Sequence, residues 1–387
     1  MPQSKVEFFR HNIGPREIAS CQEALLSLFH TTGPMCARFE EQFAQYLGVR
    51  HAVSLSSCTA ALELALLAMG VGPGDEVITT PMTFIATSNA VLKVGARPVF
   101  VDVEPETGNL RADLVEAAVT RRTKAILPVH LYGNMCDVKA LADIAQRRGL
   151  KLLADCAHAV EGQRDGLGSA QGVDAAVYSF YTTKNLSCGE GGALATDDQG
   201  LADRIRMLRL HGMSKDAADR YQKQYRHWDM VELGQKANLP DILAALLIPQ
   251  IERLPEYLAR REELARKYEA AFAGVPEVGF PRAPAGSVSA RHLFTIWAPR
   301  RDLFLQKLQE KGIGVAVNYR AVHLLSYYRE RFAYKPGDFP LAEYIGDHTL
   351  SLPLYPKLSD QEADRVISAV AETAEELANE AAGRRED

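Results

Sequence analysis

The 387-residue chain lacks a long apolar run, lacks a surplus of charge of one sign, and has only six cysteines. No stretch approaches the ~18 apolar residues of a membrane-spanning helix. Residues 1–10 are polar and carry no signal-peptide core. Acidic and basic residues are mixed along the chain, for a formal net charge of -5. That balance excludes the basic footprint of a nucleic-acid binder and the polybasic patch of a membrane-surface protein. Cys21, Cys36, Cys58, Cys136, Cys156 and Cys188 are scattered, with no CxxC pair. A zinc knuckle and a thioredoxin-like motif are therefore not indicated, and no metal site is expected. The thiols read as buried groups in a reducing compartment. Internal repeats and low-complexity segments are also missing. A cytoplasmic protein without nucleic-acid or membrane partners is predicted.

What is present is a globular composition, 47% hydrophobic, in a chain long enough to bury a core without staples. Short apolar runs at 52–55, 76–79, 98–101, 125–129, 150–154, 175–180 and 192–196 read as strands. Helical patterns at 59–69, 84–94 and 138–148 lie between them. This alternation predicts an α/β fold with a mostly parallel central sheet and helices on both faces. Near 239 the pattern changes. Two helices are expected at 239–254 and 255–272, then a Pro/Gly-rich connector at 274–286. A strand at 292–298, a helix at 301–311, a strand at 314–318 and a last helix from 360 follow, with a fraying tail from about 375. The division expected is a large domain at 1–250 and a smaller C-terminal α/β domain at 251–387.

Open parallel sheets bind ligands beyond the carboxyl ends of their strands. Behind the first strand lies Ser56-Ser57-Cys58-Thr59-Ala60-Ala61. Small hydroxyl residues opening a helix cap it and leave N–H groups for an anion; taken alone, the segment is a plain cap. Behind the fifth lies Asp155-Cys156-Ala157-His158. A carboxylate among apolar residues at a strand end needs a cation, or its pKa rises; it can equally cap a helix. His158 stands one helical turn on, and a lone histidine is ordinarily structural. Behind the sixth comes Tyr181-Thr182-Thr183-Lys184-Asn185, then Gly189-Glu190-Gly191-Gly192. A lysine titrates near 10.4 unless burial or a neighbouring cation lowers it and frees the amine for a Schiff base; otherwise it is a solvated charge. Taken together in this order, these parts are a phosphate cup, a ring-nitrogen carboxylate and a Schiff-base lysine. Pyridoxal phosphate requires all three.

With those residues in place the chain resembles the DegT/DnrJ/EryC1/StrS sugar aminotransferases over 32–370. Landmarks are Thr32-Gly33-Pro34, Gly74-Asp75-Glu76-Val77-Ile78, Pro128-Val129-His130-Leu131-Tyr132-Gly133, Asp155-Cys156-Ala157-His158-Ala159 and Lys184-Asn185. The resemblance implies the type I pyridoxal-phosphate fold, with pyridoxamine phosphate as the intermediate form of the cofactor. It implies Lys184 as the Schiff-base lysine, Asp155 at the pyridine nitrogen and His158 beside the ring oxygen. Phe84 would stack on the ring. Cys58, Thr59, the backbone at Ala60, and Ser179 would contact the phosphate. Relatives that became sugar dehydratases carry His at the lysine position, so Lys184 points to amino transfer.

In Gly234-Gln235-Lys236-Ala237-Asn238-Leu239 the resemblance implies that Lys236 and Asn238 reach the phosphate across a homodimer interface. The same block is similar to enzymes that make UDP-linked 4-amino-4-deoxyarabinose, and so are 216–220 and 320–323. Cys58, Ala237 and Asn318 depart from the usual pattern. Tyr319, Arg320 and His323 are the candidates for substrate contact. The implied reaction is a ping-pong transamination. Glutamate donates and leaves as 2-oxoglutarate; a UDP-linked keto sugar, or another nucleoside-diphosphate sugar, accepts. The alternatives are a sugar dehydratase, a cyclitol aminotransferase, or a regulatory protein that binds the cofactor without turnover.

Overall fold

The computed structural model describes residues 5–214, 227–275 and 277–383; the stretch 216–220, one of the resembling segments, lies outside them. Seven strands form the central sheet: β1 (His51–Leu55), β2 (Glu76–Thr79), β3 (Arg97–Phe100), β4 (Thr123–Leu127), β5 (Lys151–Asp155), β8 (Ala175–Ser179) and β9 (Gly192–Thr196). A small hairpin, β6 (Gln163–Arg164) and β7 (Leu167–Gly168), stands apart. The sheet order is β1-β9-β8-β5-β4-β2-β3. Pairing is parallel from β3 through β8. β9 alone runs against its neighbours β8 and β1, which refines the expected sheet by one reversed strand.

Period-two alternation sends neighbouring strand residues to opposite faces. Ala154, Ala176 and Ala195 pack on one face with α2 (Pro34–Leu47) and α8 (Asp241–Ile251). Leu153, Val177 and Leu194 pack on the other with α3 (Cys58–Ala68), α4 (Ile85–Lys93) and α7 (Gln199–Leu208). The small alanines on the first face let that helix layer approach closely. Beside this core, α5 (Ala112–Ala118) and α6 (Val138–Arg148) cover Ile78, Ile126 and Leu152. The limits of α6 are written locally. Asp137 accepts from the Ala140 N–H at 3.0 Å, and Gly149 ends the helix at φ 64°, where only glycine is unstrained.

Leading into this unit, α1 (Pro15–Leu26) packs on α8. A second core gathers α9 (Leu254–Phe272), β10 (Phe294–Trp297), α10 (Arg301–Glu310), β11 (Thr349–Leu352) and α13 (Asp360–Gly383). Two short helices, α11 (Ser326–Phe332) and α12 (Pro340–His348), lie between α10 and β11. Val6, near the N terminus, is fully buried in this C-terminal core rather than on the large sheet. The strand expected at 314–318 does not form. Ile313 bridges Val6 and Ala316 bridges Ser351, so the backbone there changes partner within three residues and builds no ladder. β10 pairs antiparallel with β11 instead. Among the described residues, no helix is long and apolar enough to cross a membrane.

Candidate active site

β1, β5 and β8 deliver their carboxyl ends to one side of the sheet, and a cavity of about 580 Å³ opens there. Ser57, Thr59, Asp155, His158, Lys184 and Tyr319 are among the residues that line it. The first wall is the N-terminus of α3. Ser57 accepts from the Ala60 N–H at 3.1 Å, and its carbonyl accepts from Ala61. Cys58 and Thr59 therefore keep the N–H groups that a helix start leaves unpaired. The Ala60 N–H, expected to meet the phosphate, is engaged by the Ser57 cap in this structure, which leaves the Cys58 and Thr59 amides as the ones available to an anion. The turn is pressed against β9. A Cβ on Gly192 would lie 2.4 Å from the Cys58 nitrogen, so only glycine fits there. Cys58 and Ser179, the other residues expected to contact the phosphate, also line the cavity.

Asp155 ends β5 with 4% exposure. Its Oδ2 accepts from Thr87 Oγ1 at 2.9 Å, and Oδ1 accepts from the Ala157 N–H at 3.1 Å. These bonds aim the carboxylate but bring no positive charge. Burial pushes its pKa up. Such a group fits a cationic ring nitrogen, which would supply the missing partner and hold it ionised.

Lys184 hangs from the loop that joins β8 to β9. Its N–H donates to the Tyr181 carbonyl at 2.8 Å, and Phe180 and Gly191 close the loop at 2.8 Å. Burial lowers the Lys184 pKa to about 8, with Cys58 and Asp155 opposing the shift. Imine formation with added pyridoxal phosphate on the cofactor-free chain is therefore expected to accelerate as pH rises through about 8 and then level off. Stopped-flow absorbance measures that profile. A rate still climbing tenfold per unit above pH 9 would contradict a lowered lysine.

His158 accepts from the Tyr132 N–H through Nδ1 at 3.2 Å. Its proton therefore sits on Nε2, which donates to the Tyr319 hydroxyl at 3.1 Å. Tyr319 keeps its own O–H for the cavity. Phe84 lines the mouth, 54% exposed, with its ring centroid 5.6 Å from that of Tyr319. An open aromatic face at this position suits a flat ring.

Other expected residues are elsewhere. His323 is fully buried; its Nε2 lies 3.0 Å from Glu343 Oε1, and its ring packs edge-on to Phe339. It does not line the cavity, so the expectation of direct substrate contact is corrected: His323 holds α12 in place. Arg320 is exposed and outside the lining. Lys236 binds Asn238 Oδ1, and Asn238 Nδ2 donates to Thr32 Oγ1 at 2.7 Å and Thr31 Oγ1 at 3.2 Å. Neither lines the cavity of its own subunit. The sequence reading missed His292, whose Nε2 lies 3.5 Å from Lys184 Nζ. A histidine opening a strand-like run gives no local signal of that meeting.

The DegT/DnrJ/EryC1/StrS aminotransferase family model matches residues 11–371. The chain belongs to this family. It is 45% identical over 368 residues to the spore coat polysaccharide biosynthesis protein SpsC of Bacillus subtilis, covering 92% of this chain and 94% of that protein. Its fold superposes on a putative sugar aminotransferase of Streptococcus pneumoniae in the apo-form with TM-score 0.91, at 31% identity, covering 97% and 99% of the two chains. The same protein in its PMP-form gives TM-score 0.90 at 32% identity, covering 96% and 100%. DesI, solved in the presence of its TDP-sugar product, gives 0.88 at 31% identity, covering 100% and 97%. The member described here is an aminotransferase that uses pyridoxal phosphate. When bound, the cofactor supplies a sink for the electrons of the substrate carbon. The α3 amides would hold its phosphate, Asp155 its ring nitrogen and Lys184 its aldehyde carbon. Lys184 would also move the proton on and off the reacting carbon.

Proposed function

We propose that this aminotransferase takes its amine from glutamate and gives it to a nucleotide-linked keto sugar, with a UDP-linked 4-keto sugar as the first candidate. One observation carries the reading. The anion-binding turn, Asp155 and Lys184 share a single cavity of about 580 Å³, mid-range for sites that enclose a small ligand. Asn318, Tyr319 and Tyr181 add hydrogen-bonding groups to its lining, as a polyhydroxylated acceptor would need. The sequence similarity at 234–242 to enzymes that make UDP-linked 4-amino-4-deoxyarabinose favours UDP. With it we propose that the product is a precursor of lipopolysaccharide or a related surface glycan. The active unit proposed is a homodimer in which Lys236 and Asn238 face the partner's site. Exposed Phe84 and Tyr181 at the cavity mouth fit a surface that a second subunit covers.

The test is a spectral titration. Glutamate is expected to bleach the visible band of the loaded enzyme, and one member of a panel of UDP- and TDP-linked keto sugars to restore it. A band restored only by an unlinked keto cyclitol would refute the nucleotide-sugar reading. Loss of oxygen from the sugar without gain of nitrogen would refute amino transfer.

A further inference from the structure

Asn185, next to the catalytic lysine, has its side-chain orientation settled by two acceptors. Its Nδ2 donates to Glu161 Oε2 at 2.8 Å and to the Ala290 carbonyl at 2.8 Å. Oδ1 must then be the acceptor in the 3.1 Å contact with His292 Nδ1, which puts the imidazole proton on Nδ1. The opposite nitrogen, Nε2, is left as a bare lone pair, and it faces Lys184 Nζ at 3.5 Å. Behind the amide, Glu161 is paired with Arg261 of α9, both side chains 2% exposed. A chain with its inner end buried thus runs Arg261, Glu161, Asn185, His292, Lys184, and each link fixes the polarity of the next.

We propose that His292 is a positioning residue for Lys184. Its Nε2 accepts one hydrogen of the lysine nitrogen, so the lone pair of the neutral amine is turned to the cavity. The same acceptor gives the protonated form of Lys184 a partner within a desolvating wall. Other groups that face the lysine do different work. Asp155 from β5 and the Cys58 thiol from α3 act on it at longer range. His158, whose ring centroid is 4.3 Å from that of His292, has its one N–H committed to Tyr319. His292 is the histidine whose free lone pair meets Lys184.

The experiment uses the full-length, cofactor-free chain. Lys184 is labelled with trinitrobenzenesulfonate across a pH series, and the modified peptide is quantified by mass spectrometry. His292→Asn retains an amide where Nδ1 lies but has no acceptor at the Nε2 position. The midpoint of labelling is expected to fall by about one pH unit or more, the size of one hydrogen bond to a charged group. His292→Gln reaches the Nε2 position with its amide oxygen and is expected to restore the midpoint to within about 0.3 units of the native value. An unchanged midpoint in H292N, or an H292Q midpoint as low as that of H292N, overturns the proposal. A second measurement needs no variant. Nitrogen-15 spectra of the histidine-labelled native chain are expected to show His292 protonated on Nδ1, and an Nε2–H tautomer would overturn it as well.

Discussion

Lys184→Ala is expected to bind pyridoxal phosphate without the visible band of the native enzyme and to transfer amino groups at less than roughly 10⁻⁴ of the native rate. The binding half of this expectation follows from what the substitution leaves in place. The amides of Cys58 and Thr59 and the Asp155 carboxylate stay where β1 and β5 put them. The loss follows from what nothing replaces. Among the described residues, no other lysine lines the cavity. Both the covalent attachment and the proton transfer would then depend on that one nitrogen. Absorbance on adding the cofactor, followed by a single turnover with glutamate, reads the two effects separately. A variant that kept the band would place the attachment on another residue and remove the basis of the site.

Asp155→Asn is expected to act in opposite directions with and without the cofactor. In the cofactor-free chain the carboxylate is buried, and burial raises its pKa more than its hydrogen bonds and the more distant Lys184 lower it. A carboxyl group with a raised folded-state pKa favours the fold only at acid pH, where it is protonated. That contribution is lost as pH rises through the folded value. The neutral amide escapes this penalty. At pH 7 the cofactor-free variant should therefore melt above the native chain, and the gap should close towards about pH 4, where an unfolded Asp is itself half protonated. With the cofactor bound the order reverses, because the ring cation loses its counter-charge. Breaking such a buried pair costs about 3–5 kcal/mol, which corresponds to a loss of roughly 10²–10⁴ in turnover. Thermal melts of both forms across pH 4–8, together with single-turnover rates, test this. A cofactor-free variant less stable than the native chain at pH 7 would show that Thr87 and Ala157 hold the carboxylate for stability rather than for a ligand.

The features readable in advance were those written in short continuous stretches. Strands 76–79 and 192–196 and helix 138–148 end where expected, because apolar runs, an Asp cap and a closing glycine are local signals. The direction of β9 was not readable, since alternation of apolar residues is the same in either sense along a strand. α1 was missed for a different reason. Its Ile18, Leu25 and Leu26 are 61%, 53% and 81% exposed in this subunit, so they mark no face against the sheet. The site divides along the same line. Asp155 and Lys184 were found because one closes an apolar strand and the other sits in the short polar loop behind the next. His323 was assigned to substrate because its partner Glu343, twenty residues on, leaves no mark in the local pattern. His292 went unnoticed because its importance depends on Asn185 and Glu161, both more than 100 residues earlier. Chemistry carried by one segment is legible; chemistry assembled from several depends on the fold.

The reversed strand also bears on how the chain can be made. β1 lies at the edge of the sheet, and its one neighbour in the strand order is β9, some 140 residues later. On the ribosome the first strand of this sheet to emerge from the tunnel has no neighbour until the sheet's last strand follows it. The nascent chain must therefore hold an apolar, unpaired segment through the synthesis of the whole parallel core. The cofactor's anion site lies on the turn just after that segment, against Gly192 of β9. Its packing against the sheet is completed only with this closure, so a chain ending before β9 is expected to hold pyridoxal phosphate more weakly than the complete fold.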